Sequence, residues 1–186
     1  MPTDVMTAIH ERRATRAYTD EMVDRSLVEQ LIEAAIQAPS AMNRQPWAFV
    51  IVEGAPRLTA FSDEVKKEVL RGEGGHLSPD VRAMLGDASF DVFYGAPVLV
   101  VICATSTEAQ AAEDCSLAAQ NLMLAAHAAG LATCPIGFAR QWLNRAETKR
   151  RLEMPEDLVP IFPLVLGHPS EKPQPHARRA PRVLWL

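Results

Sequence analysis

Pro97-Val98-Leu99-Val100-Val101-Ile102-Cys103 is apolar at every position. A strand with one wet face alternates apolar and polar residues, so a run without alternation reads as a strand buried on both faces in the middle of a sheet. Helices must then cover that sheet on each side. The apolar run ends within residues 96–104 and contains Pro97 near its start, which makes it strand-sized and too short to cross a bilayer.

Working outward, Trp47-Ala48-Phe49-Val50-Ile51-Val52 is aromatic and β-branched and is bounded by Gly54 and Pro56, as expected of a second strand. Before it, Val28, Leu31, Ile32, Ala35 and Ile36 recur at helical spacing between Asp24 and Pro39, so residues 40–46 form a loop joining a helix to the sheet. Residues 57–71 read as an amphipathic helix with Leu58, Phe61 and Val65 inward, followed by Gly72, Gly74 and Gly75. Residues 71–94 yield no assignable element. Downstream, residues 109–129 are almost all small or apolar, which describes a helix buried around most of its circumference, with Gly130 as its stop. Residues 132–138 read as a short extended segment, 145–152 as a helix stopped by Pro155, and 161–166 as a strand ending at Gly167.

After Gly167 the composition changes to Pro169, Pro173, Pro175 and Pro181 with Arg178, Arg179 and Arg182, closing on Val183-Leu184-Trp185-Leu186. A proline-rich arm makes no core of its own, yet its last apolar residues are costly to leave in water. The arm is expected to cross a surface and dock, and a partner subunit is a natural surface.

A chain of 186 residues supports one substantial domain. With 48% hydrophobic and 23% charged residues it should fold. A net charge of −4 supplies no broad basic field, which excludes a duplex nucleic acid as a partner. Asp4, His10 and Glu11 interrupt any apolar leader, so the expected location is the cytoplasm, with no membrane contact. Cys103, Cys115 and Cys134 are odd in number and lie among apolar residues, as packed reduced thiols do. His10, His76, His127, His168 and His176 show no metal-ligand spacing, so no metal is expected. There is no Gly-x-Gly-x-x-Gly sequence to support a separate dinucleotide site.

Four stretches carry polar groups suited to chemistry. Arg12-Arg13-Ala14-Thr15-Arg16-Ala17-Tyr18 follows an amino-terminal helix containing Val5, Met6 and Ile9. On a helix Arg12 and Arg16 lie one turn apart, so both guanidinium groups reach one anion; the plainer reading is a solvated basic helix end. In Ala38-Pro39-Ser40-Ala41-Met42-Asn43-Arg44-Gln45-Pro46-Trp47, Asn43 and Gln45 offer the donors and acceptors that read the edge of a heterocycle. The same residues also suit an ordinary turn, and composition leaves both readings open. In Cys134-Pro135-Ile136-Gly137-Phe138, Gly137 lets a flat ligand approach the backbone, or simply punctuates a strand. His176, Arg178 and Arg179 bind a phosphate or keep the arm solvated.

The order of these four along one chain resembles the nitroreductase flavoprotein family. The motifs that carry it are Arg-Arg-x-x-Arg-x-Tyr, Ala-Pro-Ser-x-x-Asn-x-Gln-Pro-Trp, the Ala-rich helix running into Gly-Leu and Pro-Ile-Gly, and Leu-Gly-His-Pro with a basic arm. The likeness spans nearly the whole chain, and residues 40–47 and 118–137 are its more specific parts. It implies an α+β sandwich, a central mostly antiparallel sheet flanked by helices, in a domain-swapped homodimer. Residues 1–186 would be a single FMN-binding domain, with 168–186 an arm reaching the partner subunit.

By the same resemblance, Arg12 and Arg13 contact the FMN phosphate and ribityl chain, Arg16 approaches the pyrimidine end of the ring, and Arg178 or Arg179 completes the phosphate site. Pro39, Ser40, Asn43 and Gln45 match the loop contributed by the second subunit, while Pro135, Ile136 and Gly137 match the backbone lying against flavin N5. The implied activity is a ping-pong reduction of nitroaromatic, quinone or related small acceptors. NADH or NADPH is the transient donor and no protein group acts as nucleophile. Dehalogenation, ene reduction, flavin breakdown and a non-catalytic FMN-binding redox sensor are the alternatives. Two departures stand out: Ala14 occupies a position where the family often has Ser, and residues 71–94, where the family varies its substrate pocket, match nothing in its pattern.

Overall fold

The computed structural model describes residues 4–72, 77–172, 174 and 177–186. Four strands, β1 (Trp47–Glu53), β2 (Val98–Ala104), β3 (Ala132–Pro135) and β4 (Val159–Gly167), form one sheet in the order β1-β2-β4-β3. Every strand pair in it is antiparallel. The expected central strand is β2, and each of its seven residues is buried.

The pleat explains how one apolar run serves two cores. Val98, Val100, Ile102 and Ala104 enter a cluster shared with Val28, Leu31, Cys115, Ala118 and Leu122. These come from α2 (Arg25–Ala35) and α5 (Ala109–Ala128). Leu99, Val101 and Cys103 point to the other face, among Leu58, Val65, Phe93, Trp142 and Leu143. Those belong to α3 (Ala55–Arg71), the 87–95 turn and α6 (Ala139–Leu143). Each large side chain withdrawn from water contributes about 1.5–3 kcal/mol, so replacing β2 residues with polar ones is not tolerated on either face.

The boundaries near the expected site depart from sequence expectation in informative ways. α1 (Val5–Glu11) ends one residue before the arginines, and Arg12 has ψ 130. Residues 12–18 are therefore extended, and Arg12 and Arg16 are not one helical turn apart. The backbone here bonds to β3 and to the residues just after β4 instead: Thr15 N donates to Thr133 O at 3.1 Å, and the following Thr19 N to His168 O at 2.9 Å. The extended segment expected over 132–138 stops at Pro135, and α6 begins at Ala139. The unassigned 71–94 region contains α4 (Pro79–Gly86), started by the Ser78 side chain accepting from Val81 N. Ser-Pro-Asp is a helix-start signature, so that element was legible. A last short helix, α7 (Ala146–Arg151), lies within the one expected over 145–152. No described helix is long and apolar enough to cross a membrane.

Of the arm, residues 177–186 have no regular structure, and Val183, Leu184, Trp185 and Leu186 are exposed. His76 and His176, together with Gly74, Gly75, Pro173 and Pro175, lie outside the described residues.

Candidate cofactor-binding site

The 12–18 segment brings Arg12 and Arg13 to the carboxyl-terminal end of α5, where they line one cavity with His127 and Gly130. Arg12 and Arg16 both act on the Cys134 thiol from the neighbouring strand. Burial depresses the Arg12 pKa most, and the charges of Arg13 and Arg178 depress it further. Three guanidinium groups from residues 12, 13 and 178 are therefore close enough to oppose one another, with no carboxylate among the groups acting on Arg12. Of the two arm arginines, Arg178 is the one whose charge is felt there. A half-buried cation with cationic neighbours is stabilised by an anion placed among them.

Arg13 partly fulfils the plainer sequence reading. Its Nη1 donates to His10 O at 2.7 Å and Arg12 O at 2.8 Å, capping the end of α1. Its Nε is buried without a partner among the described residues, as are the hydroxyls of Thr15 and Thr133. Each orphaned polar group costs about 1–3 kcal/mol. All three residues line a cavity of about 610 Å³ with Arg12 and Lys172, and with the carboxylates Glu11 and Glu171. The threonines were not among the expected site residues; their signal is tertiary, since each is polar only where the fold buries it.

The 39–45 loop sits at the opposite end of α5. Ala41–Asn43 forms a 3-10 turn, and Met42, Asn43 and Gln45 have φ of 52, 54 and 50. Backbone in the left-handed region costs non-glycine residues about 1–3 kcal/mol each, so the surroundings must enforce it. They do so through α5: the buried Asp114 carboxylate accepts from Ala41 N at 3.2 and 3.3 Å, and Glu108 pairs with Arg44. Within the loop, Ser40 Oγ accepts from Gln45 N at 3.0 Å, and Asn43 Oδ1 accepts from Gln45 Nε2 at 3.1 Å. Pro39, Asn43 and Gln45 are exposed and Ser40 is half-buried. From Asp114 to His127, which lines the arginine cavity, is about 20 Å along the helix axis. One protomer does not bring this loop and Arg12 together.

At the end of β3, Ile136 is buried, its N–H donates to Pro163 O at 2.8 Å, and its carbonyl accepts from Ala139 N at 3.0 Å. Its backbone is thus spent on the fold. Pro135 and Gly137 are exposed, and a Cβ placed on Gly137 would meet nothing within 4 Å. Gly137 is the member of the trio that leaves open space beside its backbone. Burial raises the Cys134 thiol pKa against the opposing pull of Arg16 and Arg12, which keeps it a protonated, packed cysteine. Cys103 and Cys115 are buried too, with burial pushing their thiols up to about 12 and about 11.

A residue absent from the sequence expectation also borders this region. Tyr94 is half-buried at φ 57, and burial raises its phenol pKa against the opposing pull of the Arg16 charge. No cluster of His, Cys, Asp and Glu suited to a metal occurs among the described residues.

Comparison with known proteins bears on this arrangement. The profile of the Nitroreductase family matches residues 9–168. A Methanothermobacter thermautotrophicus protein, provisionally named NADH dehydrogenase/NAD(P)H nitroreductase, is 32% identical, over 91% of this chain and 80% of its own. The 4-nitrobenzoate reductase of Pseudomonas putida is 27% identical, over 97% of this chain and 92% of its own. Among solved structures, a nitroreductase with bound FMN from Desulfitobacterium hafniense superposes with a TM-score of 0.81 at 28% identity, covering 100% of both chains.

Proposed function

The chain belongs to the nitroreductase family, and from that premise we propose that it is an FMN-dependent oxidoreductase that uses NAD(P)H to reduce nitroaromatic, quinone or related small acceptors. The observation that carries the proposal is that the charges of Arg13 and Arg178, drawn from the two ends of the chain, both act on the half-buried Arg12. Mutual repulsion there is relieved by a bound dianion, and a phosphate monoester supplies one. The donor set fits FMN: guanidinium groups and the orphaned Arg13 Nε at the phosphate end, and open backbone at Gly137 for a flat ring.

When bound, the flavin supplies the redox chemistry, taking hydride from the nicotinamide and passing electrons to the acceptor. The chain's own residues bind and orient. Arg12, Arg13 and Arg178 hold the phosphate, with Arg179 beside it on the arm. Gly137 admits the ring edge, with Pro135 and Ile136 shaping the strand end. Arg16 faces the pyrimidine end, where its positive charge favours the reduced ring.

Pro39, Ser40, Asn43 and Gln45 come from a second copy of the chain. The working unit is a homodimer with shared sites, each chain being one domain over residues 1–186. Residues 168–186 form an arm toward the partner, which covers Val183, Leu184, Trp185 and Leu186. Exposed Val5, Met6 and Ile9 on α1 and Leu117 on α5 support such a covered surface. The protein is read as a cytoplasmic enzyme.

The test is spectroscopic. Purified protein should bind FMN stoichiometrically and bleach on anaerobic addition of NADH or NADPH, then recover colour when a nitroaromatic or quinone is added. Colourless protein without FMN affinity refutes the proposal; a flavin that binds but never bleaches points to a sensor instead.

A further inference from the structure

Two motif residues stand outside the donor set of the site, Tyr18 of Arg-Arg-x-x-Arg-x-Tyr and Gly167 of Leu-Gly-His-Pro, and the fold brings them into contact. A Cβ built on Gly167 would stand 2.9 Å from Tyr18 Cδ1, 2.7 Å from Pro97 Cδ and 3.1 Å from Pro97 Cγ. Position 167 is glycine because the tyrosine and proline rings close over its backbone. Beside this contact the 14–19 segment is stitched between β3 and the residues after β4. Ala14 bridges to Thr133, Tyr18 bridges to Pro169, and Ser170 N donates to Ala17 O at 3.1 Å.

The seated ring turns its hydroxyl back onto its own segment, where it donates to Thr15 O at 2.9 Å. Thr15 is thereby held from both sides, since its N–H donates to Thr133 O at 3.1 Å. The same stretch of backbone carries the arginines. Arg13 Nη1 donates to His10 O at 2.7 Å and to Arg12 O at 2.8 Å, so the direction of its guanidinium follows the path of the chain there. Burial raises the Tyr18 phenol pKa, which keeps the hydroxyl protonated and donating.

We propose that Tyr18 is a positioning residue for the phosphate site: its ring, seated on Gly167 and Pro97, ties the 12–15 backbone to the end of β4 through the hydroxyl bond to Thr15, and so fixes where Arg12 and Arg13 present their charge. Like charges on a mobile segment drift apart, and a phosphate would have to order them again on binding. A backbone set in advance removes that cost from the affinity. This rests on the reading of Arg12 and Arg13 as the groups that hold the FMN phosphate.

Tyr18→Phe tests it, because it keeps the seated ring and removes only the hydroxyl. In ligand-free protein the Thr15 amide should exchange with deuterated water about threefold to tenfold faster in the variant, the worth of one hydrogen bond. FMN should bind more weakly by a similar factor, while riboflavin, which has the ring and ribityl chain without the phosphate, keeps its affinity. A general loosening of the fold would weaken both flavins alike. Added to Arg12→Ala/Arg13→Ala, Tyr18→Phe should weaken FMN no further. Equal losses for the two flavins, an unchanged FMN affinity in folded Tyr18→Phe, or a Thr15 amide that exchanges at the wild-type rate overturns the assignment. Wild-type protein that takes up no FMN refutes the cofactor reading instead, and the ligand-free amide exchange then decides by itself whether Tyr18 fixes the arginine segment.

Discussion

The two ends of α5 solve opposite problems with similar residues. At its amino-terminal end, Asp114 and Glu108 satisfy the 39–45 loop, whose strained turn is fully accounted for by bonds within the chain. At its carboxyl-terminal end the polar groups are left unmatched: Arg12 faces Arg13 and Arg178, and Arg13 Nε, Thr15 and Thr133 lack partners among the described residues. The first end is closed by partners within the chain, and the second leaves polar groups without them. The finished loop nevertheless turns Asn43 and Gln45 outward, about 20 Å along the helix from the place that lacks groups. On the proposed function, two half-sites facing apart on one helix are completed between two chains, and that is what mixing tests.

The largest effect that breaks this comparison comes from mixing. At limiting FMN, Arg12→Ala and Asn43→Ala/Gln45→Ala chains should each lose most of their activity alone. Unfolded and refolded together, they should recover about a quarter of the wild-type sites, because half the dimers are mixed and each carries one intact site. No recovery would mean that each site is built within one chain. Next, Arg12→Ala alone should weaken FMN by about 10–100-fold, the worth of charge-assisted bonds to phosphate, without lowering the melting temperature, since it removes a buried like-charge contact; calorimetry and fluorescence titration measure both. The opposite end should answer in reverse. Asp114→Ala orphans the Ala41 amide and should cost about 2 kcal/mol, a fall of roughly 4–8 °C in melting temperature, while phosphate affinity at Arg12 is kept. The smallest effect is expected at Arg44→Ala, whose pair with Glu108 is exposed at both ends: about 0.5 kcal/mol or less by urea unfolding. A larger loss would show that the loop depends on this surface pair as well as on Asp114.

Much of the fold was legible because it is written in periodicity. The unbroken apolar run of β2 announced a strand with two buried faces, which occurs as expected. The small-residue run of α5 announced a helix buried around most of its circumference, whereas the structure buries one stripe, from Ala111 through Cys115, Ala118 and Leu122 to Ala126, and exposes Glu113, Ser116, Leu117 and Gln120 on the other side, because small residues permit close packing without requiring it. The site was legible as a set of residues and illegible as geometry. Arg12 and Arg16 were expected to share a helix face, but α1 stops at Glu11 and their common direction comes from an extended segment paired with β3. Helical spacing cannot reveal that, because the pairing partner is more than a hundred residues away. Tyr94 was invisible for a related reason: nothing in Phe-Tyr-Gly-Ala-Pro says that the backbone at tyrosine is left-handed.

The amino-acid sequence by itself determined which segments are apolar, where helices can start and stop, and which polar residues have no structural duty in their own neighbourhood. These are local properties, set by side-chain chemistry and the 2.0 and 3.6 residue periods of strand and helix. Only the tertiary structure decided that Arg12 sits among cations, that Thr15 and Thr133 lose their water, and that the loop and the arginines lie at opposite ends of one helix. Burial and charge proximity depend on what the rest of the chain places nearby, and no window of sequence contains that information.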